Sequence, residues 1–132
     1  MINSNVYDYV NIMKTAADAS WIRDEVISNN IANATTPGYK REDVDFEGTL
    51  RRALGDSRYT TMDAKVRNAL KKDLKPRTYV DSASFSYRLD GNNVDPDTEG
   101  VYLAANQLKY EGIMKAINFE FQNMQTAMKG WV

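Results

Sequence analysis

A mainly α-helical rod is what this sequence predicts: long N- and C-terminal helices paired as an antiparallel-type coiled coil, joined by an irregular middle segment containing short helices and a small β-hairpin-like stretch. Three observations carry that reading. Near the C-terminus, Tyr110, Met114, Ile117, Phe121, Met124, Met128 and Trp131 alternate in steps of four and three, the spacing of a helix seam, and all are large and apolar. Near the N-terminus a sparser stripe of the same spacing runs through Val6, Val10, Met13, Ala17, Ile27 and Ile31, interrupted by Ser20 and Asp24. Between them Pro37-Gly38 stops the first helix and redirects the chain.

Taken in order, the first helix is expected over 5–34, with Asn3, Ser4 or Asn5 as its cap. Its narrow stripe needs a partner, and its pairing is expected to be weakest at Ala17, Ser20 and Asp24. Trp21 and Ile22 lie off that stripe and call for a second neighbour. The helix ends by about Ala34, because Pro37 lacks a backbone donor and pushes Thr36 out of the α region. Asparagines at 29, 30 and 33 suit such an end, where carbonyls lack partners.

Val44, Phe46, Leu50, Ala53 and Leu54 are spaced as a short amphipathic helix that Gly55 terminates. Val66, Leu70 and Leu74 mark a weaker helical segment stopped by Pro76. Phe85, Tyr87 and Leu89 then alternate with Ser86 and Arg88 before Asp90-Gly91, the period of a strand entering a tight turn. The acids Asp90, Asp95, Asp97 and Glu99 do not fit a calcium loop: counted from Asp90 the sixth residue is Asp95, not glycine. Asp95 instead reads as a helix cap, Pro96 as the first helical residue, and Asp97 and Glu99 as charges favoured at a positive helix end. The last helix runs from there to about Lys129, and Leu103 extends its seam with Gln107 as the one polar member. The organisation is therefore an N-terminal core helix over 1–34, a turn and irregular middle over 35–94, and a C-terminal core helix over 95–132, in one structural unit.

Composition narrows the function. At 132 residues there is room for one domain at most. The chain has neither cysteine nor histidine, which removes thiolate chemistry, disulfides, and the commonest general base and metal ligand. No catalytic, cofactor or metal site is expected, and no enzyme. The net charge of −1 is split: between Arg51 and Arg77 nine Lys or Arg face three Asp or Glu, a local +6 that leaves −7 for the flanks. No cationic start with an apolar run marks a signal peptide, and no window approaches a spanning length of about 18 apolar residues.

The stretch Asn29, Asn30, Ile31, Ala32, Asn33, Thr36, Pro37, Gly38, Tyr39, Lys40 resembles the N-terminal signature of the flagellar rod and hook family of axial proteins, close to N-N-I-A-N-x-x-T-P-G-Y-K; Thr35 departs from the usual Asn or Asp. A second match, Asp90 to Glu99 followed by Leu103 to Tyr110, resembles the proximal rod members of that family. The resemblance implies a structural subunit of the bacterial flagellar basal body, lying outside the cytoplasmic membrane, that self-assembles with other axial proteins into the drive shaft and serves motility. It also implies type III export without a cleaved signal peptide, and as partners other rod proteins, the ring-to-rod adaptor protein, the export gate and further copies of the chain. The alternative from another class is a coiled-coil regulatory or nucleic-acid-binding protein using the basic 51–77 segment. Against it, no aromatic residue interleaves with Lys65, Arg67, Lys71, Lys72 and Lys75 to stack bases.

Overall fold

The computed structural model describes residues 7–55, 58, 60–72, 74–82 and 88–130. Its longest element starts where the sequence places a cap. The Asp95 side chain accepts hydrogen bonds from the Asp97 N–H and the Thr98 hydroxyl, Pro96 follows at the first helical position, and α4 runs through Pro96–Lys129, 34 residues or about 51 Å. The other long element, α1, spans Asp8–Ala32. It begins about one turn later than expected, on Tyr7, with no side-chain cap, while Asn3, Ser4 and Asn5 lie outside the described residues.

The two long helices pack antiparallel. Asn30 meets Glu99 at one end, Ser20 and Asp24 meet Asn106 midway, and Lys14 and Ala17 lie beside Tyr110, Met114 and Ile117 further on. Tyr9 is close enough to Glu120 to feel its charge, so the last turns of α4 run past Asp8, where α1 starts.

The expected C-terminal seam is split by this packing. Glu99, Leu103, Asn106, Tyr110, Ile113, Ile117, Glu120 and Met124 are the buried or half-buried line of α4, again stepping by four and three. Tyr110, Ile117 and Met124 belong to both lines, whereas Met114, Phe121 and Met128 sit one residue round the helix and are exposed; Trp131 lies outside the described residues. Asn106, not Gln107, is the inward polar member. The middle of α1 is correspondingly a place of close approach rather than of weakest pairing. The Asn106 carboxamide donates to the Ser20 carbonyl at 2.7 Å and to Asp24 Oδ1 at 2.8 Å, which only small or polar residues on α1 permit.

The middle segment covers a different face of α1. A short strand β1, Glu42–Val44, precedes α2, Phe46–Leu54; α3, Met62–Leu70, follows, and β2, Thr78–Val80, returns to pair antiparallel with β1. Asp45 caps α2 through the Gly48 N–H, Gly55 ends it at φ +68, and Thr61 caps α3. Val44 therefore belongs to a strand rather than to the following helix. The pairing register sets Glu42 against Val80, Asp43 against Tyr79 and Val44 against Thr78. The small antiparallel pair is thus present, with its strands at either end of the α2 and α3 excursion; Phe85, Ser86 and Tyr87 lie outside the described residues, and Leu89 is in an exposed turn.

Val44, Phe46, Ala53, Ala69 and Leu74 pack with Ala19 and Val26 of α1, flanked by Ile12, Ala16 and Ile22, to make the apolar core. Ile22 thus has the second neighbour its position required, while Trp21 remains 66% exposed.

Candidate functional site: a polar joint at one end of the helix pair

Helix ends leave carbonyls without partners, and α1 ends under cover, so something must satisfy them. Asn92 does so. Its carboxamide N–H groups are shared among the carbonyls of Asn33, Ala34 and Thr36 at 2.9, 3.2 and 2.9 Å, and Arg88 donates to the Ala34 carbonyl at 2.6 Å. Asn92 is fixed in turn, its Oδ1 accepting from the Val94 N–H and its own N–H donating to Asp90 Oδ1. Beside it the Gly38 N–H donates to the Asp90 carbonyl at 2.8 Å, and Lys40 Nζ donates to the Gly91 carbonyl. Gly38 has φ +73, a region that non-glycine residues enter at a cost, so the turn depends on glycine there.

The two stretches singled out in the sequence therefore lock onto each other: 29–40 supplies the helix end and turn, and 90–99 caps it. Within the first stretch, Asn30 is fully buried and holds the joint together. Its Nδ2 donates to the Glu42 carbonyl at 2.8 Å and to Glu99 Oε2 at 3.1 Å, and its Oδ1 accepts from the Glu42 N–H at 3.0 Å and the Tyr39 hydroxyl at 3.3 Å. One side chain thus pairs with both backbone groups of a β1 residue, as a neighbouring strand would, and ties α1, β1 and α4 together. Asn33 bonds locally, donating to the Asn29 carbonyl and accepting from Thr36. Asn29, Ala32, Thr36 and Pro37 are exposed, and Ile31 is half-buried.

At the centre stands Arg41, its side chain 8% exposed. Nε donates to Glu99 Oε1, one terminal nitrogen to Asp81 Oδ2 at 2.6 Å and the other to Asp43 Oδ2 at 3.0 Å, and the guanidinium carbon lies 5.2 Å from the centroid of the Tyr102 ring. Asn93 completes the attachment, accepting from the Arg41 N–H and donating to the Asp81 carbonyl. Burial disfavours the Arg41 charge, but the hydrogen bonds and charges of Glu99 and Asp43 outweigh it and hold the proton more tightly than usual. For Asp43 burial again works against ionisation; bonds from Arg23 and the Val44 N–H prevail and hold the carboxyl below its ordinary range. The Tyr39 phenol is pushed up by burial and by the charges of Glu42 and Glu99.

Arg41, Glu99 and Asn92 carry much of this network, and nothing local in the sequence gives them these roles. The sequence places Glu99 at the positive end of a helix dipole; in the fold it is 1% exposed and bonded to both Arg41 and Asn30. The available signal was the density of asparagines and acids in 90–99, which exceeds what a single helix cap uses. Among the described residues no cluster of carboxylates is arranged to hold a metal, and the joint's buried side-chain groups are bonded to one another or to the backbone; the one buried side-chain oxygen left without a partner among the described residues, Asn106 Oδ1, lies midway along the helix pair. Its chemistry is that of a structural weld.

A family model described as Flagella basal body rod protein matches residues 13–40, most of α1 and the turn after it. The flagellar basal body rod protein FlgB of Bacillus subtilis (strain 168) is 34% identical over 119 residues, covering 89% of this chain and 91% of that protein. The chain belongs to the flagellar basal body rod protein family. The FlgB proteins of Cereibacter sphaeroides (strain ATCC 17029 / ATH 2.4.9) and Escherichia coli (strain K12) are 36% and 31% identical over 82% and 81% of the chain, and 84% and 83% of their own lengths. As a flagellar rod protein it is a structural component of the basal body and not an enzyme. No helix among the described residues is long and apolar enough to cross a membrane.

Proposed function

We propose that the chain is a proximal rod subunit that enters the drive shaft through the face of α4 its own α1 leaves uncovered. The observation that carries this is the run of exposed apolar residues at steps of seven on the C-terminal half of that helix, Met114, Phe121 and Met128, the last 73% exposed. Apolar residues at such density along one helix call for a partner surface. The signature stretch and its cap, being rigidly joined, fix the angle at which the middle segment leaves the helix pair and so orient it toward outer neighbours. The partners proposed are other rod proteins, further copies of this chain, the ring-to-rod adaptor and the export gate, with export proceeding without a cleaved signal peptide. In the assembled shaft the exposed members of the expected seam, Met114, Phe121 and Met128, with half-buried Met124 beside them, are the contact line.

The test is the double substitution Met124→Glu with Met128→Glu. Because Met128 is exposed and Met124 only half-buried, the free chain should lose no more than about 1 kcal/mol. Incorporation into the rod should be abolished, since assembly would bury two unpaired carboxylates. Motility of a host carrying only this variant reads the outcome; normal swimming overturns the proposal.

A further inference from the structure

Three faces of α1 can be separated at about 100° per residue. Ile12, Ala16, Ala19, Ile22 and Val26 face the middle segment, and Ala17, Ser20, Asp24 and Ile27 face or flank α4. The third face carries Lys14, Asp18, Trp21, Glu25 and Ser28, again in steps of four and three, and neither α4 nor the middle segment covers it. Trp21 stands between two depressions. One, of about 260 Å³, is lined by Lys14, Ala17, Asp18, Tyr110, Met114 and Ile117; the other, open and of about 420 Å³, is bounded by Asp24, Glu25 and Ser28.

We infer that this face is a docking site for the basic surface of α3 of a second copy of the chain. The choice of occupant follows from charge. The chain divides into a +6 middle and −7 flanks, and the acids Asp18 and Glu25 bracket an exposed indole, an arrangement suited to a guanidinium or ammonium laid on the ring. Arg67 and Lys71 of α3 and its end are exposed, and the Lys72 ammonium, on an exposed residue too, is engaged with its own chain, donating to the Ala53 carbonyl at 3.1 Å. Since α3 packs against the Ile12 side of its own α1, its cations face away from its own Trp21, and only another copy presents them to it. Such a contact is heterologous: each copy offers the acidic face to one neighbour and the basic face to the next, so association extends head to tail. The inference rests on the rod reading only in placing this contact inside the shaft.

The chain lacks cysteine, so single cysteines give unambiguous cross-links. Mixing the Asp18→Cys and Arg67→Cys variants with a short bismaleimide should give a covalent dimer, while either variant alone should give several-fold less. Trp21→Ala should weaken association at least tenfold, as should Asp18→Lys with Glu25→Lys, and pairing the latter with a partner carrying Arg67→Glu and Lys71→Glu should restore it. Raised salt should weaken the wild-type contact by screening. Equal cross-linking in the like mixtures, failure of the charge swap, or a wild type that stays monomeric while a basic protein of another kind occupies the face would each overturn the inference. Normal rod incorporation by a chain that forms no such cross-links would sink this contact and leave the rod reading standing.

Discussion

Replacing Arg41 with alanine removes the cation around which Glu99, Asp43 and Asp81 are gathered. Their side chains are 1%, 10% and 23% exposed, so Glu99 loses its counter-charge, and Asp43 one of two, in places water barely reaches. Breaking a buried ion pair from one side typically costs about 3–5 kcal/mol, against a total stability of about 5–15 kcal/mol for a domain. Asp43 retains Arg23, which lowers the expected loss toward the smaller figure, about 3 kcal/mol. Urea unfolding followed by helix ellipticity should show it as a lower midpoint with an unchanged slope. The double variant Arg41→Met with Glu99→Met should lose less than the sum of the single changes, because each single change strands a charge that the double removes. A loss below about 1 kcal/mol for Arg41→Ala, or strict additivity in the double, would refute the claim that the joint is held by compensated buried charge.

Three further outcomes follow from the same region. Gly38→Val should destabilise by about 1–2 kcal/mol and Gly38→Asn by clearly less, since a Cβ at that position meets nothing within 4 Å and the penalty is one of backbone conformation alone; equal melting temperatures would remove the constraint. Asn92→Ala should cost about 1–3 kcal/mol by stranding carbonyls at the end of α1, with faster amide exchange over the turn as the local readout. Acid should destabilise in a defined window. Asp43 has a folded-state pKa below its unfolded value near 3.8, so its contribution is complete above about pH 4 and is lost as pH falls through the lower, folded value; Asp43→Asn should flatten that part of the pH–stability curve, and an unchanged acid limb would contradict it.

What the sequence made legible was local. Asp95 and Pro96 announce a helix start through chemistry confined to one turn, and Pro37 and Gly55 announce ends in the same way, so both long helices and α2 emerge near their observed limits. Non-local pairings leave no such trace. Nothing within three residues of Glu42 indicates that Val80 lies opposite it, and the alternation at Phe85, Tyr87 and Leu89 was the stronger local signal. The sequence offers Glu99 only a role its own helix can give it, because its partner Arg41 stands 58 positions away, just before β1, with no local mark of the pairing. The seam on α4 shows the same limit: apolar residues mark two adjacent lines, and only Asn106, chosen by Ser20 and Asp24 across the interface, reveals which line faces α1. The signature stretch was recognisable by its residues, while the mutual capping of 29–40 and 90–99 required the fold.

The joint also sets an order of events. Its closing bonds join Asn30 to Glu99 and Arg41 to Glu99, so a chain delivered end first, from either end, cannot make them until the whole middle segment has passed. Until then α1 is a helix of 25 residues whose buried positions, Ile27 and Asn30 among them, have nothing from α4 to rest on, and most of a protein helix's stability comes from such packing. Closing so long a loop is slow relative to local helix formation. A partly delivered chain therefore lacks the weld that fixes its shape, and the fixed geometry arises only once both stretches are present together.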